Sequence, residues 1–232
     1  NIKDQDALNL LEWIRYYNGA ADLTFSDYSN YIIRNNNWPE IEKIKFQAES
    51  KISYTDPPSD IINYFNVNEV QTGLGKIYLG NAFMSVGKRD IGINLIQEGY
   101  VDGRFGRVDQ KNIIYKFNSF LNIEHHKKRI SNLLWNKKYR TAQRLVKYVD
   151  KDHQRLYEAR IGLISFAGGV DELISKVPKY LKDDPGLVHD RINWRIKKKK
   201  FSSALDLLTK INKTSSQDLE RPDKFWKLKN YS

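Results

Sequence analysis

Apolar positions along the chain recur every three or four residues, and no stretch alternates convincingly between apolar and polar. That spacing belongs to amphipathic helices, not to half-buried strands. Leu8, Leu11 and Ile14 form one face of a first helix, opened by Asp4 or Asp6. Thr24 or Ser26 can cap a second, whose apolar face is Tyr28, Tyr31 and Ile32. Asn35-Asn36-Asn37 breaks it. Trp38-Pro39 then predicts a third helix, with proline at its favoured first position, through Ile41, Ile44 and Ala48. Asp56-Pro57-Pro58-Ser59 reads as a turn ending in an N-cap, before a short helix through Ile61, Ile62 and Phe65.

From Gln71 onward the pattern is one of helix pairs joined by short turns. Residues 75–86 and 90–97 pair across Gly87-Lys88, and 103–106 reads as loop. Helices follow near 109–119, 123–135, 138–148 and 151–166. Gly168-Gly169 interrupts the chain, 170–177 is a short helix stopped by Pro178, and Pro185 opens another that reaches Ile196. Phe201 to Lys210 comes next, then a Thr214-Ser215-Ser216 loop and a last helix holding Phe225 and Trp226. About fourteen short helices with tight turns predict an all-α fold, an irregular superhelical array of antiparallel helix pairs: an α-solenoid, tetratricopeptide-like in kind. The expected division is a superhelical domain over 1–213 and a final helix over 214–232 that leads toward a further region.

Three stretches resemble one another. Residues 89–96, 139–146 and 201–208 each follow a basic turn. Each sets a small residue (Gly92, Ala142, Ala204) three before a leucine (Leu95, Leu145, Leu207). The offsets are 50 and 62 residues, so no fixed tetratricopeptide period exists.

Composition narrows the class. At 232 residues and 40% hydrophobic, the chain can bury a sizeable core. The longest charge-free apolar run, Ile77 to Gly87, is too short to span a membrane. With no cysteine there is no disulfide scaffold, thiolate metal site or thiol nucleophile. Net charge is +11 and uneven: residues 1–122 carry 13 basic and 15 acidic side chains, residues 123–213 carry 22 and 10. Such a basic half suits an anionic partner, whether nucleic acid, an acidic membrane surface or a carboxylate-bearing polymer. Its sharpest feature is Lys197-Lys198-Lys199-Lys200, the candidate contact residues, placed at a turn where a helix C-terminus already favours cations.

Motifs for chemistry are lacking. Gly73-Leu74-Gly75-Lys76 has neither the spacing nor the following hydroxyl of a phosphate loop and reads as a helix N-terminus. His125 and His126 point about 100° apart on a helix and cannot share one ion. No metal, cofactor or catalytic residue is expected. Trp13, Trp38, Trp135 and Trp194 fall where apolar neighbours recur and read as core.

Several stretches together resemble the amino-terminal superhelical domain of soluble lytic murein transglycosylases. Leu11-Glu12-Trp13-Ile14, Phe25 through Tyr31-Ile32, Asn37-Trp38-Pro39 and Ala48-Glu49 look like that family's opening helices. Arg129 to Leu133-Leu134-Trp135, with Ala142 and Arg144-Leu145, is similar to its Leu-Leu-Trp helix pair. Val177-Pro178, Asp184-Pro185-Gly186-Leu187, Arg191 and Trp194-Arg195 match its most specific stretch, and Phe225-Trp226 resembles its closing aromatic pair.

The resemblance implies a ring or horseshoe of helix pairs in the periplasm of a Gram-negative bacterium, followed by a linker and a lysozyme-like catalytic domain. In that domain a single Glu acts first as acid and then as base, and peptidoglycan strands are cleaved to 1,6-anhydromuramic ends. The family's catalytic Glu sits in a Glu-Ser motif with Gly-Leu-Met-Gln downstream. Here Glu49-Ser50 has no such sequel, and Met84 is the only methionine. The expected role is therefore non-catalytic, holding or threading murein for a catalytic domain of the same parent protein. A protein-binding helical scaffold is the alternative, and nucleic-acid binding ranks last.

Overall fold

In the computed structural model, residues 4–211, 221, 223 and 224 are described. They form thirteen α-helices and three short 3₁₀ turns, with no strand among the described residues, so the chain is all-α. The expected helix with Phe225 and Trp226, and the expected boundary at 213/214, lie outside the described residues. Two compact units divide the chain, Asn1–Leu121 and Asn122–Ser232.

The first unit holds α1 (Gln5–Asn18), α2 (Phe25–Arg34), α3 (Ile41–Lys51), α4 (Pro58–Val67), α5 (Gly73–Ser85), α6 (Arg89–Asp102) and α7 (Arg107–Phe117). Asp4 caps α1 through the Asp6 amide, and Thr24 caps α2 in a reciprocal box with Asp27. Their buried faces meet in a tyrosine-rich core: Tyr16 stacks on Tyr31 at 4.0 Å, and Tyr28 donates its hydroxyl to the Tyr16 carbonyl at 3.1 Å. Ile44, Ala48, Ile61 and Leu79 complete it.

Two helix starts differ from expectation. Helix α3 begins at Ile41, not at Pro39, and Glu40 precedes it in the left-handed region. The Pro39 carbonyl accepts the Trp13 indole N–H at 3.0 Å, which holds that peptide in the α1 contact. Pro58 is the first residue of α4, so Ser59 lies inside the helix and its hydroxyl donates to Asp60 instead of capping.

Helices α5 and α6 approach most closely, because glycines meet where they cross. A Cβ added to Gly80 would stand 2.6 Å from the Gly92 carbonyl oxygen, and one on Gly99 would stand 2.6 Å from that of Gly73. The glycines lie seven residues apart on each helix, two helical turns, so both contacts fall on one seam. Only glycine lets backbones come this near.

The second unit holds α8 (Ile123–Trp135), α9 (Tyr139–Gln143), α10 (Lys151–Ser165), α11 (Val170–Ser175), α12 (Pro185–Lys197) and α13 (Phe201–Ile211). The helix expected over 138–148 is broken: α9 stops at Gln143 and Val146–Tyr148 tightens into a 3₁₀ turn. Asp150 must cap α10 through the His153 amide only one residue after Val149, so the chain has no room for a further α turn.

Helices α8, α10 and α12 run in the same direction. Tyr157 of α10 donates to the Lys127 carbonyl of α8 at 3.2 Å, and Arg160, one turn on, lies 5.2 Å from the Trp135 ring at the end of α8. Arg160 also pairs with Asp190 of α12 at 2.9 Å, while Phe166, just past α10, lies 5.2 Å below the Lys197 amine at the end of α12. The three C-termini therefore point the same way, and Phe166 and Lys197 bring those of α10 and α12 together.

Candidate functional site

The candidate site grows out of a turn that the second unit uses repeatedly. After α8, the Lys138 amide bonds the Leu133 carbonyl and the Lys137 amide bonds Leu134. After α12, Lys200 bonds Arg195 and Lys199 bonds Ile196 in the same register. After α10, Ala167 bonds Gly162 and Phe166 bonds Leu163. Each is a Schellman closure, which needs its C′ residue in the left-handed region. That residue is Lys137 (φ 58°), Phe166 (φ 57°) and Lys199 (φ 57°).

The α5–α6 turn closes the same way, with Gly87 at φ 81°. Five residues past Gly87, Lys137 and Lys199 come Gly92, Ala142 and Ala204, all buried. The internal similarity thus marks one hairpin geometry built three times.

All four expected contact residues, Lys197 to Lys200, are exposed. The turn aims them differently. The Lys197 amine sits over the Phe166 ring, while Lys198 and Lys200 lie 6.0 and 5.4 Å from the Trp194 ring. Such contacts favour a cation over an aromatic face. Sequence reasoning missed Phe166, which α10 places under the Lys197 amine, and Lys137 and Lys138, which close the C-terminus of the parallel helix α8. A readable signal existed: residues 125–149 and 191–205 contain no Asp or Glu and carry eight and six basic residues.

The residues that carry the family resemblance form framework. Trp135 from one stretch and Asp184 and Gly186 from the other lie against Arg160, which is fully buried and also pairs with Asp190. Asp184 caps α12 through the Leu187 amide at 2.8 Å. Of the four tryptophans expected in the core, Trp135 is buried and Trp13, Trp38 and Trp194 are half-buried.

Glu49 is likewise structural. It is 1% exposed and its carboxylate accepts the Gln71 and Thr72 amides at 2.6 and 2.8 Å and the Thr72 hydroxyl, tying α3 to the start of α5. Burial raises its pKa, against the pull of those hydrogen bonds. Thr72 in turn caps α5 through the Gly75 amide, so Gly73 to Lys76 is a helix start.

His125 and His126 do different work. His125 accepts the Asn122 amide through Nδ1, whereas His126 is buried and stacks on Tyr148 at 5.0 Å. Burial, then the neighbouring His125 and Arg129, lower the His126 pKa. Among the described residues no three His, Asp or Glu side chains are grouped to hold a metal, and no helix is long and apolar enough to cross a membrane. No protein-family model, curated protein or solved structure matches the chain.

Proposed function

We propose that this chain is the non-catalytic superhelical domain of a periplasmic lytic transglycosylase, and that it holds or threads peptidoglycan for a catalytic domain of the same parent protein. The observation that carries the reading is the meeting of the resembling stretches. Trp135, Asp184 and Gly186 come from motifs about fifty residues apart in the chain and lie against Arg160. Motifs shared in order and spacing are expected to act together in this way if the whole helical framework is shared. The basic second unit suits murein, whose stem peptides carry free carboxylates.

Two measurements test the reading. Co-sedimentation with purified murein sacculi should retain the protein at low salt and release it as salt rises, because exposed charges are screened over about 10 Å at 0.1 M. The coding frame beyond Ser232 should run into a Glu-Ser motif followed by Gly-Leu-Met-Gln. No retention at any salt, together with a stop codon, would sink it.

A second reading is a stand-alone protein-binding scaffold. Its support is the α1 face, where Leu8, Leu11 and Ile14 stay 38–45% exposed along one helical stripe.

A further inference from the structure

We propose that the edge formed by the C-terminal turns of α8, α10 and α12 is a binding site for a carboxylate-bearing glycan. The sugar face lies on Phe166 and the carboxylates meet Lys137, Lys138 and Lys197 to Lys200. The inference rests on the murein reading above and assigns it a surface.

Charge carries the first part. Among the described residues, no ion pair involves any of these six lysines, whereas Lys45, Lys76, Lys127 and Lys176 each contact a carboxylate. Helix C-termini favour cations, but each supplies only about half a negative charge. Three such ends offset about a quarter of six lysines, so among the described residues most of this positive charge is uncompensated. Packed helices lie about 8–10 Å apart, which is close to the screening length at 0.1 M salt, so neighbouring turns act on the same polymer.

Phe166 carries the second part. It occupies a left-handed position that Gly19 and Gly87 fill at other helix ends, and a bulky residue there is a marked outlier. The residue is 40% exposed. Beside it the chain is bare: a Cβ on Gly168 or Gly169 would meet nothing within 4 Å. An exposed ring with the Lys197 amine over one face, beside an uncovered glycine turn, fits a pyranose ring with an acidic substituent.

The same features disfavour nucleic acid. The turns 136–138 and 197–200 carry lysine, and neither they nor 166–169 carry arginine, the residue whose planar fork suits phosphate. The exposed rings beside them are Phe166 and Phe201, not a row of platforms on which successive bases stack.

The test uses the whole chain and three probes: murein sacculi, peptide-stripped glycan strands and single-stranded DNA. One variant combines Lys138→Gln, Lys197→Gln, Lys198→Gln and Lys200→Gln, sparing the left-handed positions. The other is Phe166→Gly, which relieves the backbone and so should fold at least as well, as its thermal midpoint will show. Wild type should bind both intact sacculi and peptide-stripped strands, whose muramic lactyl carboxylates are freed by the stripping. The four-lysine variant should lose about tenfold or more in affinity together with most of the salt dependence. Phe166→Gly should lose about fivefold with no drop in midpoint. If wild type binds murein and both variants bind equally well, this surface is wrong while the proposed function stands. Failure of wild type on every form of murein removes both. Equal or tighter binding to DNA overturns the glycan assignment.

Discussion

Gly80 and Gly92 face each other across the α5–α6 seam, where each would drive a Cβ into the other's carbonyl oxygen. Alanine normally stabilises a helix interior by about 1 kcal/mol relative to glycine. Here the backbones leave no room, and separating them costs more than propensity returns. Gly92→Ala and Gly80→Ala should each destabilise the protein by about 1–3 kcal/mol. Urea denaturation followed by circular dichroism would show it, and an increase in stability would contradict the seam.

Glu49 gives a pH signature. Its carboxyl is held above the ordinary 4.5, chiefly by burial, so the fold binds its proton more tightly than the unfolded chain does. Its contribution to stability is therefore full below pH 4.5 and is lost as pH rises through the raised value. Glu49→Gln cannot titrate. The stability of wild type relative to Glu49→Gln should accordingly fall as pH rises above about 4.5. Denaturation curves at stepped pH decide it, and a constant difference would refute the claim. Glu49→Ala, which strands the Gln71 and Thr72 donors, should cost about 3 kcal/mol.

Arg160 and Asp190 are both buried, and Asp190 supplies the closer carboxylate to the guanidinium at 2.9 Å, against 3.9 Å for Asp184. Asp190→Ala should cost about 3–5 kcal/mol. Gly186→Ala places a methyl group against the Arg160 guanidinium and should cost about 1–3 kcal/mol. Both substitutions act on the same side chain, so the double variant should fall short of the sum. Strict additivity in thermal or chemical unfolding would disprove the shared mechanism.

Lys137 and Lys199 sit in the left-handed region at exposed helix ends. Lys137→Gly should raise stability by about 0.5–1 kcal/mol, while Lys137→Ala should not, because alanine keeps the Cβ that strains the turn. Both variants remove the same charge, so the gap between their thermal midpoints isolates the backbone effect.

Local chemistry made much of this fold legible. Thr24 and Asp4 cap the helices they precede, and Gly92, Ala142 and Ala204 are buried at equivalent places in their hairpins. The break after Gln143 was hidden because Ala142, Leu145, Val146 and Val149 are all buried and keep helical spacing across it. The start of α3 was hidden by a bond between residues 26 apart, Trp13 and Pro39. The role of Glu49 depends on amides 22 and 23 residues away. The basic edge was half visible: Lys197 to Lys200 stand out as a run, but Phe166 and Lys137 join them only through the common direction of three helices.

The glycine seam also bears on how the first unit assembles. Five glycines within α5 and α6 make each helix a poor former alone, at about 1 kcal/mol per glycine. Neither segment is then helical before it meets the other, and zipping and docking become a single event. In amide exchange α5 and α6 should open together, as one cooperative block rather than as two fraying rods.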